Sequence, residues 1–185
     1  MSDNVLRISS GHYKGLYGTE LWFDLDRPYG YEGRKALRFA KHHFVVLHAD
    51  PKILIVRAQA DYFCAIFVAA HAPHSGYSRQ DREQWWQQLS TRISECDMRV
   101  DEKLYVMIDA NASSGPCDNQ HVGPRDDKVT SSTCFLRDFL EQHDLCLPGT
   151  FPIHEGHGDT WTTPDGCHGS RIDYVAVPVA QGEQC

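Results

Sequence analysis

The sequence predicts an α+β protein with β-sheets at its centre, and three observations predict it. Short apolar runs, rich in β-branched and aromatic residues, recur at lengths that suit strands. Two other segments repeat apolar residues three and four positions apart, the mark of amphipathic helices. Some strands follow each other closely enough to form hairpins while others have helices between them, which is the layering of α+β folds. There is no internal repeat and no low-complexity tract.

At 185 residues the chain is expected to form a single domain, 1–185, with a substantial core. Hydrophobic residues at 41% and charged residues at 23% are ordinary for a water-soluble globular protein. The formal charge of −7 argues against a broad basic field that clamps nucleic acid, yet it is compatible with a local basic groove or a bound metal. No run approaches the length of a membrane span, and Met1 to Ser10 lacks the basic-then-apolar order of a signal peptide. The seven cysteines are scattered without a Cys-x-x-Cys pair, which fits neither a zinc site nor a disulfide framework. Free thiols and an intracellular setting, nuclear or cytoplasmic, are therefore expected, with no membrane partner. Cys64 and Cys134 fall within apolar patterns and are expected in the core.

In chain order, Gly18 to Asp24 reads as a strand and Asp26 to Gly33 as a loop, punctuated by Pro28, Gly30 and Gly33. Phe44 to His48 is a short strand closed by the turn Ala49-Asp-Pro51. Lys52 to Ala60 and Asp61 to Ala70 form a hairpin, and the nearly continuous apolar run of its second strand suits burial on both faces. That strand delivers His71-Ala-Pro-His74. Ser78-Arg-Gln-Asp81 is a capping box, followed by a helix whose stripe is Trp85, Leu89, Ile93 and Cys96. The adjacent Trp85 and Trp86 are read as core and rim, not as a platform for bases.

Leu104-Tyr-Val-Met-Ile-Asp-Ala-Asn-Ala112 then reads as a buried strand that ends in a carboxylate and, two residues on, a carboxamide. With a period of two, Asp109 and Asn111 point the same way at its carboxyl end. Such a pair suits the holding of a divalent cation, or of a water against a phosphate or carbonyl. An Asx turn that closes the strand is the competing reading. A polar loop follows from Ser113 to Ser132, and a loop of this length is usually functional or mobile. Cys134 to His143 is a second helix with Phe135, Leu136, Phe139 and Leu140 on its apolar face, and Leu145 to Leu147 is extended. Pro148 to Asp165 is a loop carrying His154, Glu155, His157 and Asp159. In the last strand, Arg171 to Val177, Asp173 interrupts an apolar run.

Three strand ends thus carry polar residues that packing would not ask for: His71, the Asp109/Asn111 pair and Asp173. Convergence of such groups is the usual make-up of a hydrolytic site. Each has a bland alternative. His71 would be a satisfied loop residue, and Asp173 would be paired to Arg171 or to a backbone amide. His71 and His74 as a metal pair is less favoured than a turn, for want of a partner at ligand spacing.

From about Phe44 to Pro178 the chain resembles the endonuclease/exonuclease/phosphatase superfamily, whose fold is that of deoxyribonuclease I. Val106-Met-Ile-Asp-Ala-Asn-Ala112 is similar to the family's Gly-Asp-Phe-Asn motif, with Ile108 and Ala110 where glycine and phenylalanine are usual. Val68-Ala-Ala-His71, Thr160-Trp161 and Ser170-Arg-Ile-Asp-Tyr174 match three further family segments in the family's order. The particular flavour resembles the endonuclease-like domains of non-long-terminal-repeat retroelements.

The resemblance implies a four-layer α/β sandwich with two central mixed sheets, incomplete here. It implies cleavage of a phosphodiester or phosphomonoester with Mg2+ or Mn2+, and DNA as the partner. Asp109 would orient or deprotonate the attacking water and serve as a metal residue, with Asn111 fixing that carboxylate and the phosphate. His71 would bind a non-bridging oxygen, Asp173 would orient a catalytic histidine, and Arg171 and Trp161 would contact substrate. Two family elements have no counterpart. Residues 1–17 contain no glutamate for the metal-holding position, and no histidine follows His168. The chain is therefore expected to be a fragment of a longer reading frame or a non-catalytic copy of the fold. A phosphatase acting on a small or lipid-linked phosphate is the third reading, its specificity residing in the 113–132 and 148–170 loops.

Overall fold

The computed structural model describes residues 5–6, 20–21, 43–60, 63–124, 127–152, 158–163 and 168–182. Most of the Gly18–Asp24 segment, the Asp26–Gly33 loop, and His154, Glu155 and His157 lie outside them. Among the described residues there are ten strands: β1 (Val5–Leu6), β2 (Glu20–Leu21), β3 (His43–Ala49), β4 (Ile53–Ala60), β5 (Phe63–His71), β6 (Lys103–Asp109), β7 (Leu145–Cys146), β8 (Trp161–Thr162), β9 (Gly169–Ser170) and β10 (Asp173–Pro178). The helices are α1 (Arg79–Ser94), α2 (Thr133–Gln142) and the short α3 (Val179–Gly182).

The α+β class is the one expected. Of the central sheets, the described residues build one, six-stranded and mixed, in the order β3-β4-β5-β6-β10-β7. Only β5 and β6 run parallel within it. A parallel pair needs a crossover, and α1 lies in the connection between these two strands. The β1–β2 and β8–β9 pairs form two-stranded sheets of their own.

Local chemistry sets the joints. At the β3–β4 turn, Asp50 Oδ1 accepts the amides of Lys52 at 2.7 Å and Ile53 at 2.8 Å. Burial by itself would raise the Asp50 carboxyl, but the His48 ring and these two amides outweigh it and hold the group below its ordinary value. At the head of α1, Ser78 Oγ accepts the Asp81 amide at 3.1 Å and donates to the Asp81 carboxylate at 2.6 Å. The serine cap is the one read from the sequence, while the acid reaches back to the Ser78 hydroxyl in place of the backbone amide that a full capping box uses.

The core lies between the sheet and the two longer helices. Ile53, Ile55, Ile66, Val68, Leu104, Val106, Ile108, Tyr174 and Ala176 meet Trp85, Trp86, Leu89 and Ile93 of α1 and Phe135, Leu136, Phe139 and Leu140 of α2. Trp86 rests on Phe139 with 5.4 Å between ring centroids, so both tryptophans are interior packing.

The expectation that β5 is buried on both faces is corrected, and β6, read as a buried strand, is likewise covered on one face only. Their burial alternates, and Met107 is 42% exposed and Val175 57% exposed on the helix-free face. Phe67 and Tyr105 stack on that face at 5.4 Å. The apolar runs therefore record one core face and one face of half-covered apolar residues. Cys134 also departs from expectation. It is exposed, because α2 turns Phe135, Leu136, Phe139 and Leu140 inward.

His143, at the end of α2, packs against Phe139 with the rings tilted and 4.8 Å between their centroids, and its Nε2 is buried without a hydrogen-bond partner. Burial pushes its pKa below the ordinary histidine value. A depressed folded-state pKa gives stability that is present above the unfolded value of about 6.5 and is lost as pH falls below it. Thermal unfolding followed from pH 7 to pH 5 should show the wild type losing stability more steeply than His143→Phe. Equal slopes would mean that His143 is not the group taking up the proton.

Candidate functional site

Three of the residues singled out in the sequence stand in one row. His71 ends β5, Asp109 ends β6 and Asp173 begins β10, and β6 pairs His71 with Asp109 on one side and Asp173 with Asp109 on the other. Directly opposed residues project from the same face of a sheet, here the helix-free one. His71 Nε2 lies 3.6 Å from Asp109 Oδ2, with the two side chains 59% and 34% exposed. The group is therefore reachable from solvent, and its distance is one that a proton on His71 or a bridging ligand would tighten.

Past Asp109 the chain turns sharply. Asn111 has φ of +45°, a left-handed conformation that asparagine tolerates better than most residues. Its amide donates to Asp109 Oδ1 at 3.1 Å, so the Asx turn is real. Its carboxamide Nδ2 donates to the Ala72 carbonyl at 2.8 Å. The ladder also runs on beyond the strands, with the Ala72 amide on Asp109 O and the Ala110 amide on Ile172 O, both at 2.8 Å. Asn111 thus locks the segment after His71 to the segment after Asp109. One Asp109 oxygen is held by that turn, while the other faces His71.

The remaining candidates take supporting positions. The Arg171 guanidinium donates to the carbonyls of Gly149 and Gly158, which ties two loops to the start of β10. It therefore does not serve as the partner of Asp173 that packing might have required. Trp161 is exposed, in a two-residue strand paired with β9. Thr160, whose place beside Trp161 was the only signal in the sequence, accepts the amides of Ile172 and Asp173, both at 3.0 Å. It fixes the strand end from which Asp173 projects.

Tyr174 was not anticipated as a site residue. Its hydroxyl donates to the Arg171 carbonyl at 2.7 Å and accepts the Ser114 amide at 3.0 Å. Burial, with the Asp127 carboxylate adding to it, pushes the phenol up to about 12, so it stays neutral and holds the loop after Asn111 against β10.

The donor set suits a hard cation. Asp109 and Asp173 are like charges directly opposite each other, an arrangement that disfavours the fold unless something compensates it. Mg2+ takes one or two carboxylates and completes its shell with water and substrate phosphate. Among the described residues there is no group of three or more His, Cys, Asp and Glu that could enclose an ion. Asp109 and Asp173 are the two carboxylates these residues would offer to such an ion.

No protein-family model matches the chain, and no curated protein matches it. Solved structures do. The endonuclease domain of a telomere-specific non-LTR retrotransposon is similar at 17% identity and a TM-score of 0.45, over 69% of this chain and 50% of that one. Sphingomyelinase C from Streptomyces griseocarneus is similar at 16% identity and a TM-score of 0.46, over 68% and 41%. An endonuclease/exonuclease/phosphatase family protein from Leptotrichia buccalis is similar at 15% identity and a TM-score of 0.44, over 68% and 40%. The similarity spans half or less of each of those chains.

Proposed function

We propose that this chain carries the site of a metal-dependent phosphoester hydrolase, with a nucleic-acid phosphodiester as substrate. The observation that supports it is the in-register row of His71, Asp109 and Asp173 at the accessible ends of three adjacent strands.

Asp109 accepts a hydrogen bond from the attacking water and takes up its proton as the water oxygen bonds to phosphorus. The Asx turn to Asn111 limits the rotation of that carboxylate. His71 donates to a non-bridging phosphate oxygen, where charge grows as the ester bond breaks. Mg2+ or Mn2+, held by Asp109 with Asp173 beside it, would supply neutralisation of the phosphate and of the leaving oxygen. Arg171, Thr160 and Tyr174 keep the strand end and its loops in place.

A second reading has its own observation. Asp109 and Asn111 form a complete Asx turn and interlock two loops, tasks that a non-catalytic domain of the same fold would also need. Nicking of supercoiled DNA during Mg2+ and Mn2+ titration separates the two. Metal-dependent nicking that disappears in Asp109→Ala is the expected result. A folded protein that neither nicks DNA nor binds metal would establish the non-catalytic reading.

A further inference from the structure

The row of site residues continues by one position. Ile53 is paired with Ala70, and the His71 amide donates to the Lys52 carbonyl at 2.9 Å, so Lys52, the residue just before β4, stands beside His71. Four neighbouring positions, Lys52, His71, Asp109 and Asp173, therefore run across four strands, each about 4.8 Å from the next. On strand alternation Lys52 shares the helix-free face, since Ile53 and Ile55 point into the core.

The Lys52 ammonium is placed by a second contact. Its Nζ lies 5.0 Å from the centroid of the Tyr77 ring, and His74 meets the same ring edge-on at 4.9 Å. Tyr77 is 45% exposed and Lys52 is half-buried, so the pair lies at the protein surface. No carboxylate among the described residues pairs with Lys52. The turn beneath it is pinned by the Asp50 carboxylate, which occupies itself with the Lys52 and Ile53 amides. An ammonium preset on an aromatic ring, without a carboxylate partner and one strand away from the reacting group, is suited to a second anion on the same substrate.

We propose that Lys52, positioned by Tyr77, holds the phosphate that flanks the scissile one, so that the site takes a polynucleotide strand in preference to an isolated phosphate ester. This rests on the proposed hydrolase reading and adds the substrate's second contact point. A strand lies along the row with the scissile phosphate between His71 and Asp109 and its neighbour on Lys52. An ester with a single phosphate has no second anion to reach that far.

The test uses the full chain and a fluorescein-labelled oligonucleotide, with anisotropy read in EDTA so that no turnover occurs. Lys52→Ala should weaken binding about tenfold, the worth of one charge-assisted hydrogen bond. It should also lower the slope of log affinity against log salt by about 0.7–0.9, the loss of one phosphate contact. Tyr77→Leu should weaken binding while leaving the slope in place, since the charge remains and only its position is lost. With metal added, Lys52→Ala should raise KM for the oligonucleotide and leave KM for bis(4-nitrophenyl) phosphate unchanged. An unchanged salt slope in Lys52→Ala, or no binding by the wild type, overturns the proposal. A reduced slope from a protein that hydrolyses neither substrate would sink the hydrolase reading and leave the phosphate contact standing.

Discussion

Asp109→Ala should lower the rate of metal-dependent phosphodiester cleavage by about 10² to 10⁴, the range typical of a positioned general base. The physical reason is its place in the row. Asp109 is paired with His71 on one side and Asp173 on the other, so its carboxylate is where a water would be held between them. On the proposed reading the effect should fall on kcat, because the substrate keeps its contacts with Lys52 and His71. Stability should change little. The variant loses one turn hydrogen bond but also relieves a repulsive pair with Asp173, and surface changes of this sort usually stay within about 0.5 kcal/mol. Single-turnover cleavage beside a thermal melt checks both halves. A large drop in melting temperature with kcat intact would assign Asp109 to the fold instead.

The largest expected loss of stability lies at the opposite end of the same strand. Glu102 precedes β6 with its side chain 1% exposed, and Arg57 Nε stands 2.7 Å from Glu102 Oε1. Arg57 also donates to the carbonyls of Cys96 at 2.6 Å and Asp97 at 3.1 Å, and the Arg99 amide donates to Glu102 Oε2 at 2.9 Å. The pair thereby ties β4, the end of α1 and the entry to β6. Glu102→Ala leaves the guanidinium largely buried without its counter-charge, which typically costs about 3–5 kcal/mol. For a domain of this size that corresponds to a fall in melting temperature of about 10 °C. Replacing both residues together, as Arg57→Met with Glu102→Leu, should recover much of the loss, because no charge is left stranded. Circular dichroism during heating measures it, and a double variant as unstable as the single one would place the cost in the lost tie instead.

Much of the fold was legible because its signals are local. The Ser78 box, the Trp85–Leu89–Ile93 stripe and the strand ends at His71 and Asp109 each depend on residues within a few positions of one another. Burial was less legible. The run Leu104 to Ile108 is apolar throughout, and such a run has the same composition whether one face or both are covered. Only the placement of both long helices against one face showed that Met107 belongs to the other. Cys134 misled for the same reason, since a stripe several residues wide does not mark its own edge.

The candidate site divides in the same way. By itself the sequence determined that a histidine, an Asp-x-Asn pair and a later aspartate sit at strand ends, because alternation and turn chemistry act between near neighbours. It could not determine that β5, β6 and β10 are adjacent, that their register sets His71, Asp109 and Asp173 in line, or that Lys52 extends that line. Arg171 shows the converse. Its motif suggested substrate, whereas the fold turned its guanidinium to the carbonyls of two distant loops. Strand order and register follow from how the whole sheet buries its core face against α1 and α2. That is a property of contacts far apart in the chain, and only the tertiary structure decides them.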